Sequence, residues 1–453
     1  MKAIRILTFF TTALGLTSVL AGEGQSDPHR IDLSTALKLA DADNTQIALA
    51  RERVNQAEAQ LAQARTLILP DLAAGVSYAH HDGRLQETNG NILDVERSSG
   101  FAGLGSGAVG AGDVQVSGIG LNLDLGDALY APLVARQQLL AVEAESEAVK
   151  NQMLLAVAAA YFELVRAQGN LEIAKEALAN AEDLAKTTNN FAETGEGLAS
   201  DSERAKVEVL IRQRDIAAAN ELVAIRAVEL ARLLRLKTGT QLRATSSPDA
   251  RVNWVDASSD PETLTTDALT NRPELKIGDA KLRASEQSLK RAKLAPLLPK
   301  LSFGASTGGF GGGEGNTISN SGNRTDVSVG IYWTLDGLGL GQRARTEEME
   351  SLREQARLIR IDIEDGITAE VTASLAAVQN RVSQISSGSK AVAGARKSYE
   401  LNRSRVFENQ GLPIETLQAI QSLAVARSLH RDAIVDYNIA QFQLFTAIGQ
   451  PAE

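Results

Sequence analysis

The sequence predicts a mostly α-helical protein in which one plan occurs twice: long coiled-coil helices, with a short β-region inserted in each copy. Three observations carry this prediction. Apolar residues recur every seven positions, small residues follow them three positions later, and two separate segments alternate apolar and polar residues. A seven-residue apolar repeat specifies a left-handed coiled coil, and a period of two indicates β-strands.

Composition narrows the class of protein. The chain has 453 residues, of which 43% are hydrophobic but only 4% aromatic, and this suits long Ala/Leu/Val helices. A net charge of −10 argues against a nucleic-acid partner. Four histidines and no cysteine support neither a metal site nor a nucleophile. We therefore expect no enzymatic activity, no cofactor and no metal.

The first 21 residues are typical of a secretory signal peptide, with Lys2 and Arg5 before an apolar run and Ala21 at a plausible cleavage site. A membrane anchor is the alternative, but the run is short and polar residues follow it. Because the sequence has no cysteine to acylate, we expect no lipoprotein anchor. No later segment has about 20 apolar residues, so a membrane crossing would require β-strands.

The helix that opens each copy shows the repeat most clearly. Ala36-Leu37 begins a predicted helix that runs to Leu69-Pro70, and Ala268-Leu269 begins one that runs to Leu298-Pro299. Small residues in every second seam position let neighbouring backbones approach closely, as in a coiled coil. The alternative to a coiled coil is an amphipathic helix in an ordinary bundle. The apolar seam residues are Ile47, Val54 and Leu61 in the first copy and Leu275, Leu282 and Leu289 in the second.

Longer helices are predicted at 127–189 and 342–409, each about 95–100 Å long at 1.5 Å per residue. The remaining helices are shorter, so two of them placed end to end match one long helix. The sequence thus predicts a first repeat over 31–238, a polar linker over 239–262 and a second repeat over 263–450, which together form a rod.

The β-regions supply strands at 71–80 and 114–125, and at 300–308 and 326–335. Each strand is about 10 residues long, the length that crosses a bilayer when tilted. The intervening segments 81–112 and 309–324 look like polar loops. Four strands are too few to close a barrel, so we expect an oligomer, and a trimer would supply twelve strands. Soluble hairpins capping a coiled-coil rod are the alternative.

The duplicated helices, the strand ending Leu335-Asp336-Gly337 and the Gly-Leu turns at Gly197 and Gly411 together resemble the TolC-like outer-membrane efflux protein family (the outer membrane factors) over about residues 31–450. The resemblance implies a homotrimer with a 12-stranded barrel in the lipid of the bacterial outer membrane and an α-barrel tunnel across the periplasm.

It also implies partners: a periplasmic adaptor (membrane fusion) protein and an inner-membrane RND or ABC transporter. The function implied is a passive export duct, gated at its periplasmic tip, in drug efflux or type I secretion. A structural periplasmic coiled-coil protein without a pore is the alternative.

Two turns are the candidate functional site. They read GLASDSERA from Gly197 and NQGLPIETLQA from Asn409. Their Gly-Leu pairs, Gly197-Leu198 and Gly411-Leu412, lie 214 positions apart. Gly411 is suited to the left-handed end of a helix and Pro413 to the first turn of the next. In the first copy we expect Gly197 to end the helix and Ser200 with Glu203 to form a capping box. The resemblance implies that both hairpins form the tip where the adaptor docks, through Gly197, Leu198, Ser200, Asp201, Gly411, Leu412 and Pro413.

The resemblance further implies a pore constriction at Glu415 and Gln418. Glu415 has the acidic character expected there, whereas Gln418 departs from it. Three Glu415 carboxylates would favour cations. Alternatively, Glu415 is a first-turn acid that complements the helix dipole. Asp201 is the first-copy equivalent, which we expect to face a groove rather than the pore.

Overall fold

The computed structural model describes residues 29–72, 74–105, 119–237, 239–408 and 410–450. The predicted signal peptide, residues 1–21, lies outside these ranges, as do residues 114–118 of the second predicted strand. The described chain is mostly helical, with one antiparallel sheet and a small parallel pair of strands. This confirms the predicted mostly α-helical class with a β-region.

Eight α-helices occur in the described ranges. Their bounds are α1 Leu33–Asp43, α2 Thr45–Arg65, α3 Leu125–Thr194, α4 Ala199–Leu233, α5 Pro261–Asn271, α6 Pro273–Leu294, α7 Leu340–Phe407 and α8 Pro413–Ala447. At 70 and 68 residues, α3 and α7 are each about 100 Å long.

The helices form four antiparallel columns. Near the sheet, α3 packs against α2 and α6, and at its other end it packs against α4 and α8. The second long helix, α7, packs first against α6 and then against α8. Thus α2 and α4 stand end to end on one side of α3, and α6 and α8 stand end to end between α3 and α7.

One helix tests the expectation that no later segment is apolar enough to cross a bilayer. By length and composition alone, α3 contains such a stretch, of which 39% is buried inside the chain. Length and composition alone therefore do not distinguish α3 from a membrane-spanning helix. Because α3 packs against helices on both sides along its length, the apolar stretch is explained by helix–helix packing.

Two predicted continuous helices are each broken in two. Asn44 has extended backbone (φ −66°, ψ 128°), and its side chain accepts a hydrogen bond from the Gln46 N–H, which caps α2. Arg272 is also extended (φ −65°, ψ 129°) because it precedes Pro273, and proline disfavours the helical conformation of the residue before it. The seven-residue repeat continues across both breaks and so hides them.

The antiparallel sheet consists of four neighbouring strand lines, each paired with the next along the chain. They are β2 Asp71–Leu72 continued by β3 Ala74–Gln86; β4 Ile92–Gly105 continued by β5 Ile119–Asp124; β7 Lys300–Glu314; and β8 Gly322–Tyr332. Gly105 pairs with Ser306, and Ile119 pairs with Ala305. The second line therefore resumes its register at the next residue of β7.

This arrangement corrects the predicted loop over 81–112. The first hairpin turns at 87–91, and β3 pairs along its whole length with β4. The strand at 92–105 was missed because glycine, serine and charged residues occupy both of its faces there, which leaves no apolar alternation to detect. β7 likewise continues to Glu314, beyond the predicted 308.

The linker between the repeats wraps the middle of the helical body. β1 (His29–Ile31) pairs in parallel with β6 (Leu242–Ala244). Further on, the buried Gln441 side chain of α8 accepts the N–H groups of Trp254 and Val255 and donates to the Val255 carbonyl. Gln441 is 0% exposed. The linker is thus fastened to the core by backbone hydrogen bonds.

Candidate functional site

The two helical hairpins lie side by side at the end of the helical body remote from the sheet. α3 turns into α4, and α7 turns into α8. Because α3 packs against α8, the hairpins share one small core formed by Ala177, Leu184, Val406, Leu417 and Ile420. The sequence-predicted turns are therefore neighbours within one chain.

Gly195, and not Gly197, ends α3. Gly195 is left-handed, with φ 77° and ψ 7°, a conformation that glycine adopts without strain. The N–H of Gly197 donates to the Phe191 carbonyl at 2.9 Å. The prediction that Gly197 ends the helix was therefore wrong by two residues. Gly195, the other glycine of the Gly195-Glu-Gly197 segment, takes that role.

The predicted capping box of Ser200 and Glu203 is absent. The N-cap of α4 is Leu198, which has extended backbone and makes no side-chain capping bond. Its carbonyl instead accepts the N–H of Asp201 at 3.1 Å. Glu203 pairs with Lys206 at 2.8 Å. The helix begins too early for Ser200 to stand at its cap.

In the second hairpin, Gly411 is not left-handed, which corrects the predicted reason for its presence. Its backbone passes so close to α7 that a Cβ atom there would lie 2.9 Å from the Arg405 Cβ and 3.2 Å from the Val406 nitrogen. Glycine at position 411 therefore allows the turn to approach the end of α7 closely. Leu412 is the N-cap of α8, and Pro413 occupies its first position.

The same close approach occurs in both copies. A Cβ atom on Gly197 would lie 2.9 Å from the Phe191 Cβ. Gly411 and Arg405 are related to Gly197 and Phe191 by the same offset of 214 positions. The N-caps Leu198 and Leu412 also have nearly the same backbone angles, φ −85° and −86°. The two turns therefore share one backbone design.

Glu415 lies in the first turn of α8 with its side chain 40% exposed, and its Oε2 is 3.5 Å from the Arg405 Nη1. Gln418, one turn further on, is exposed, whereas the intervening Thr416 and Leu417 are buried. In the first copy, Asp201 pairs with Arg204 at 3.4 Å. Glu415 thus has a cationic neighbour across the turn that the sequence did not indicate.

Charged pairs join α3 to α7 and α8 just above the turns. Arg403 donates to Asp183 through two nitrogens at 2.8 and 3.1 Å, and this hydrogen bond raises the pKa of the Arg403 guanidinium. Arg427 pairs with Glu176. Burial raises the pKa of the Tyr399 hydroxyl beside them. These pairs hold the two hairpins together.

At the opposite end, the sheet has one apolar face that is exposed. Cross-strand partners point to the same side, so the register places the residues of this face together. It carries Leu72, Val76, Tyr78, Ile119, Phe303, Val327, Val329 and Ile331, each at least 40% exposed. A contiguous patch of exposed apolar residues marks an interaction or membrane surface.

The other face is small and polar. It presents Ser77, Ser302, Ser306 and Ser328 with several glycines. Phe101 and Phe310, which pair in register, are large apolar residues on this face. The Phe101 ring lies over Gly103 and Gly308, where added Cβ atoms would come within 2.9 and 2.6 Å of it. In the described residues the outer edges of β3 and β8 carry no strand partner.

Comparisons with known proteins agree with this geometry. Residues 36–234 match the family model described as outer membrane efflux protein. No curated protein sequence matches the chain. Among solved structures, the fold is similar to the CmeC outer membrane channel of Campylobacter jejuni (TM-score 0.77, 16% identity, covering 93% of this chain and 87% of that one).

It is also similar to the outer membrane protein VceC of Vibrio cholerae (TM-score 0.74, 17% identity, covering 93% and 97%) and to the open state of the MtrE outer membrane channel of Neisseria gonorrhoeae (TM-score 0.71, 19% identity, covering 92% and 89%). The fold is thus that of outer membrane channels. The family-model match over residues 36–234, together with these folds, confirms the resemblance drawn from the sequence.

Proposed function

We propose that this chain is one subunit of a homotrimeric outer-membrane channel-tunnel, a passive export duct of a tripartite efflux or type I secretion system. The observation that carries the proposal is the sheet: four neighbouring strands with an exposed apolar face, a small polar face and two open edges. Such a sheet cannot close alone, because even a filled barrel needs about eight strands.

The two faces fit a barrel wall in lipid. Transmembrane barrels present an apolar band about 25 Å tall outward and polar residues inward, with aromatic residues at both borders. Here Tyr78 and Trp333 stand near opposite ends of the apolar face, 54% and 62% exposed. Pairing of the β3 edge of one chain with the β8 edge of the next would close a 12-stranded barrel around three chains.

The helical body would continue this barrel as a periplasmic tunnel. Exposed apolar residues line the outer columns, among them Leu210 and Val228 of α4 and Ile359 of α7, at 64%, 63% and 56%. Side-by-side packing of neighbouring chains would cover them. In this arrangement the hairpins lie at the periplasmic tip, where an adaptor protein would dock and an inner-membrane transporter would supply the energy.

The gate of the duct would be the tip, and Glu415 with Gln418 its narrowest ring. Opening would move α7 and α8 relative to α3, and the Arg403–Asp183 pair opposes that movement. The structural periplasmic protein without a pore remains the competing function, but it gives no role to the exposed apolar sheet face.

A matched pair of substitutions tests the proposal. Val329 and Ser328 are neighbours in β8 and point to opposite faces. Val329→Arg should abolish SDS-resistant oligomers in the outer-membrane fraction, because arginine in the lipid-facing band costs about 2–4 kcal/mol. Ser328→Arg should leave them intact. Equal behaviour of the two variants, or soluble recovery of the unaltered protein after osmotic shock, would contradict the proposal.

A further inference from the structure

Two adjoining cavities form one groove where the sheet meets the helices. The first, of about 280 Å³, is lined by polar residues, among them Asp124, Asp127, Arg291, Lys300 and Arg345. The second, of about 380 Å³, is lined mainly by α3, α6 and α7. The two share Ser288 and Met349 in their linings. We call them together the junction groove.

The groove exists because α6 carries small side chains between two helices with larger ones. Ala284, Ser285 and Ser288 form its floor, whereas Val134 and Val142 of α3 and Met349 and Leu352 of α7 form its apolar walls. Small residues at these positions let α3 and α7 approach α6 closely but leave a channel above it.

Charge is distributed unevenly along the groove. At the sheet end, Arg291 donates to Asp127 at 2.9 Å, and Lys300 pairs with Asp124 at 3.3 Å. Arg345 has neither a hydrogen bond nor an ion pair to any residue in the described ranges. Over the whole groove, four basic side chains face three acidic ones, so one positive charge is uncompensated at its polar end.

The groove opens toward the face of the sheet opposite to the apolar one. Lys300 pairs in register with Asp124 and Tyr332, whereas its neighbour Leu301 pairs with Leu123 and Ile331 on the apolar side. In the proposed barrel, a cavity lined by Lys300 and Asp124 therefore faces the aqueous lumen. This orientation rests on the proposed function.

We propose that the junction groove is a binding site on the duct wall for an amphipathic anion, with a phosphate, sulfate or carboxylate head at Arg345 and an alkyl chain along Met349 and Leu352. These three residues lie at i, i+4 and i+7 on one face of α7, about 10 Å from end to end. A planar guanidinium suits such oxyanion heads because it donates two parallel hydrogen bonds.

Cysteine protection tests the site directly, because the natural chain has no cysteine. In Ser285→Cys protein reconstituted in nanodiscs, a small charged methanethiosulfonate should modify the floor of the groove rapidly. Octyl phosphate should slow that reaction at least tenfold, as followed by intact mass. Inorganic phosphate and octyltrimethylammonium should not, because each lacks one of the two required parts.

Arg345→Gln should raise the octyl phosphate concentration for half-protection at least tenfold. Arg343→Gln is the matched control: this neighbour is 79% exposed and pairs with Glu347, so its loss should leave protection unchanged. Equal effects of the two variants, or equal protection by the cationic amphiphile, would overturn the proposal.

Two further outcomes separate the sources of failure. An unreactive thiol in the Ser285→Cys protein would mean that lipid or a neighbouring chain covers the groove. A phospholipid that copurifies with the parent protein but not with Arg345→Gln would make the groove a lipid site. Either result overturns the assignment of the groove to the lumen. Absence of channel conductance in the unaltered protein would instead remove the proposed function itself.

Discussion

Arg405 and Glu415 face each other across the turn between α7 and α8, with 3.5 Å between Nη1 and Oε2. Both side chains are partly exposed, at 55% and 40%, so the pair contributes little to stability. Its consequence is electrostatic. If three Glu415 carboxylates form the narrow ring of the duct, three Arg405 guanidinium groups lie beside them and reduce its negative potential.

The two residues should therefore affect ion selectivity in opposite directions. In planar-bilayer recordings, Glu415→Ala should weaken cation preference and block by multivalent cations, whereas Arg405→Ala should strengthen both. High salt should reduce the difference, because exposed charges are screened. Unchanged selectivity in both variants would place the constriction elsewhere.

The close approach at Gly411 gives a second prediction. Gly411→Ala would place a methyl group 2.9 Å from the Arg405 Cβ, so the turn must shift, and we expect faster proteolysis at residues 408–412 and about 1–3 kcal/mol of destabilisation. Gly394→Ala in α7 is the control. No atom lies within 4 Å of the added Cβ, so a helix-favouring alanine should be neutral or stabilising by up to about 1 kcal/mol.

Gln441→Ala should destabilise the whole helical body. The substitution leaves the N–H groups of Trp254 and Val255 without the acceptor they have in the core, and each unsatisfied buried group costs about 1–3 kcal/mol. Thermal unfolding should show the loss. Gln379→Ala, which removes an exposed hydrogen bond to the Ala257 carbonyl, should have a much smaller effect; a similar effect would show that the linker is not anchored through Gln441.

Stability should depend on pH through Glu274. Burial alone would raise its pKa, but two hydrogen bonds from Arg272, at 2.9 and 2.8 Å, and the charge of that residue outweigh burial and hold the pKa below the ordinary 4.5. A depressed pKa stabilises the fold above the unfolded value, and that stability disappears as pH falls through the folded value.

Glu274→Gln should accordingly lower the melting temperature at pH 7 and flatten its decline below pH 4.5. Glu286→Gln, in the same helix but without an ion pair in the described ranges, should follow the unaltered protein. Melting curves between pH 7 and pH 3.5 measure both; parallel curves for the two variants would contradict the assignment to Glu274.

Sequence periodicity predicted the helical columns because a seven-residue seam is strong over 70 residues, as in α3. It did not predict the break at Asn44, where a capping side chain interrupts the helix without interrupting the seam. β4 was missed because its faces are not distinguished by hydrophobicity. Alternation is clear only where one face meets an apolar medium, as at Val327 and Val329.

The candidate site was predicted less completely than the fold. The positions of both turns followed from the duplicated Gly-Leu pattern, but the roles of their glycines did not. Gly195, and not Gly197, ends α3 in the left-handed conformation. Gly411 is required instead by contact with Arg405, which is six residues away and carries no local signal. The partner of Glu415 was invisible for the same reason.

Closure of one barrel by three chains can be measured with a disulfide scan along the two sheet edges. Cysteine pairs, one on β3 and one on β8 of each chain, cannot meet within a chain because two strand lines separate them. Pairs at one register should oxidise to covalent dimers and trimers, with the trimer as the largest species. Ladders beyond three chains, or no cross-link at any register, would contradict it.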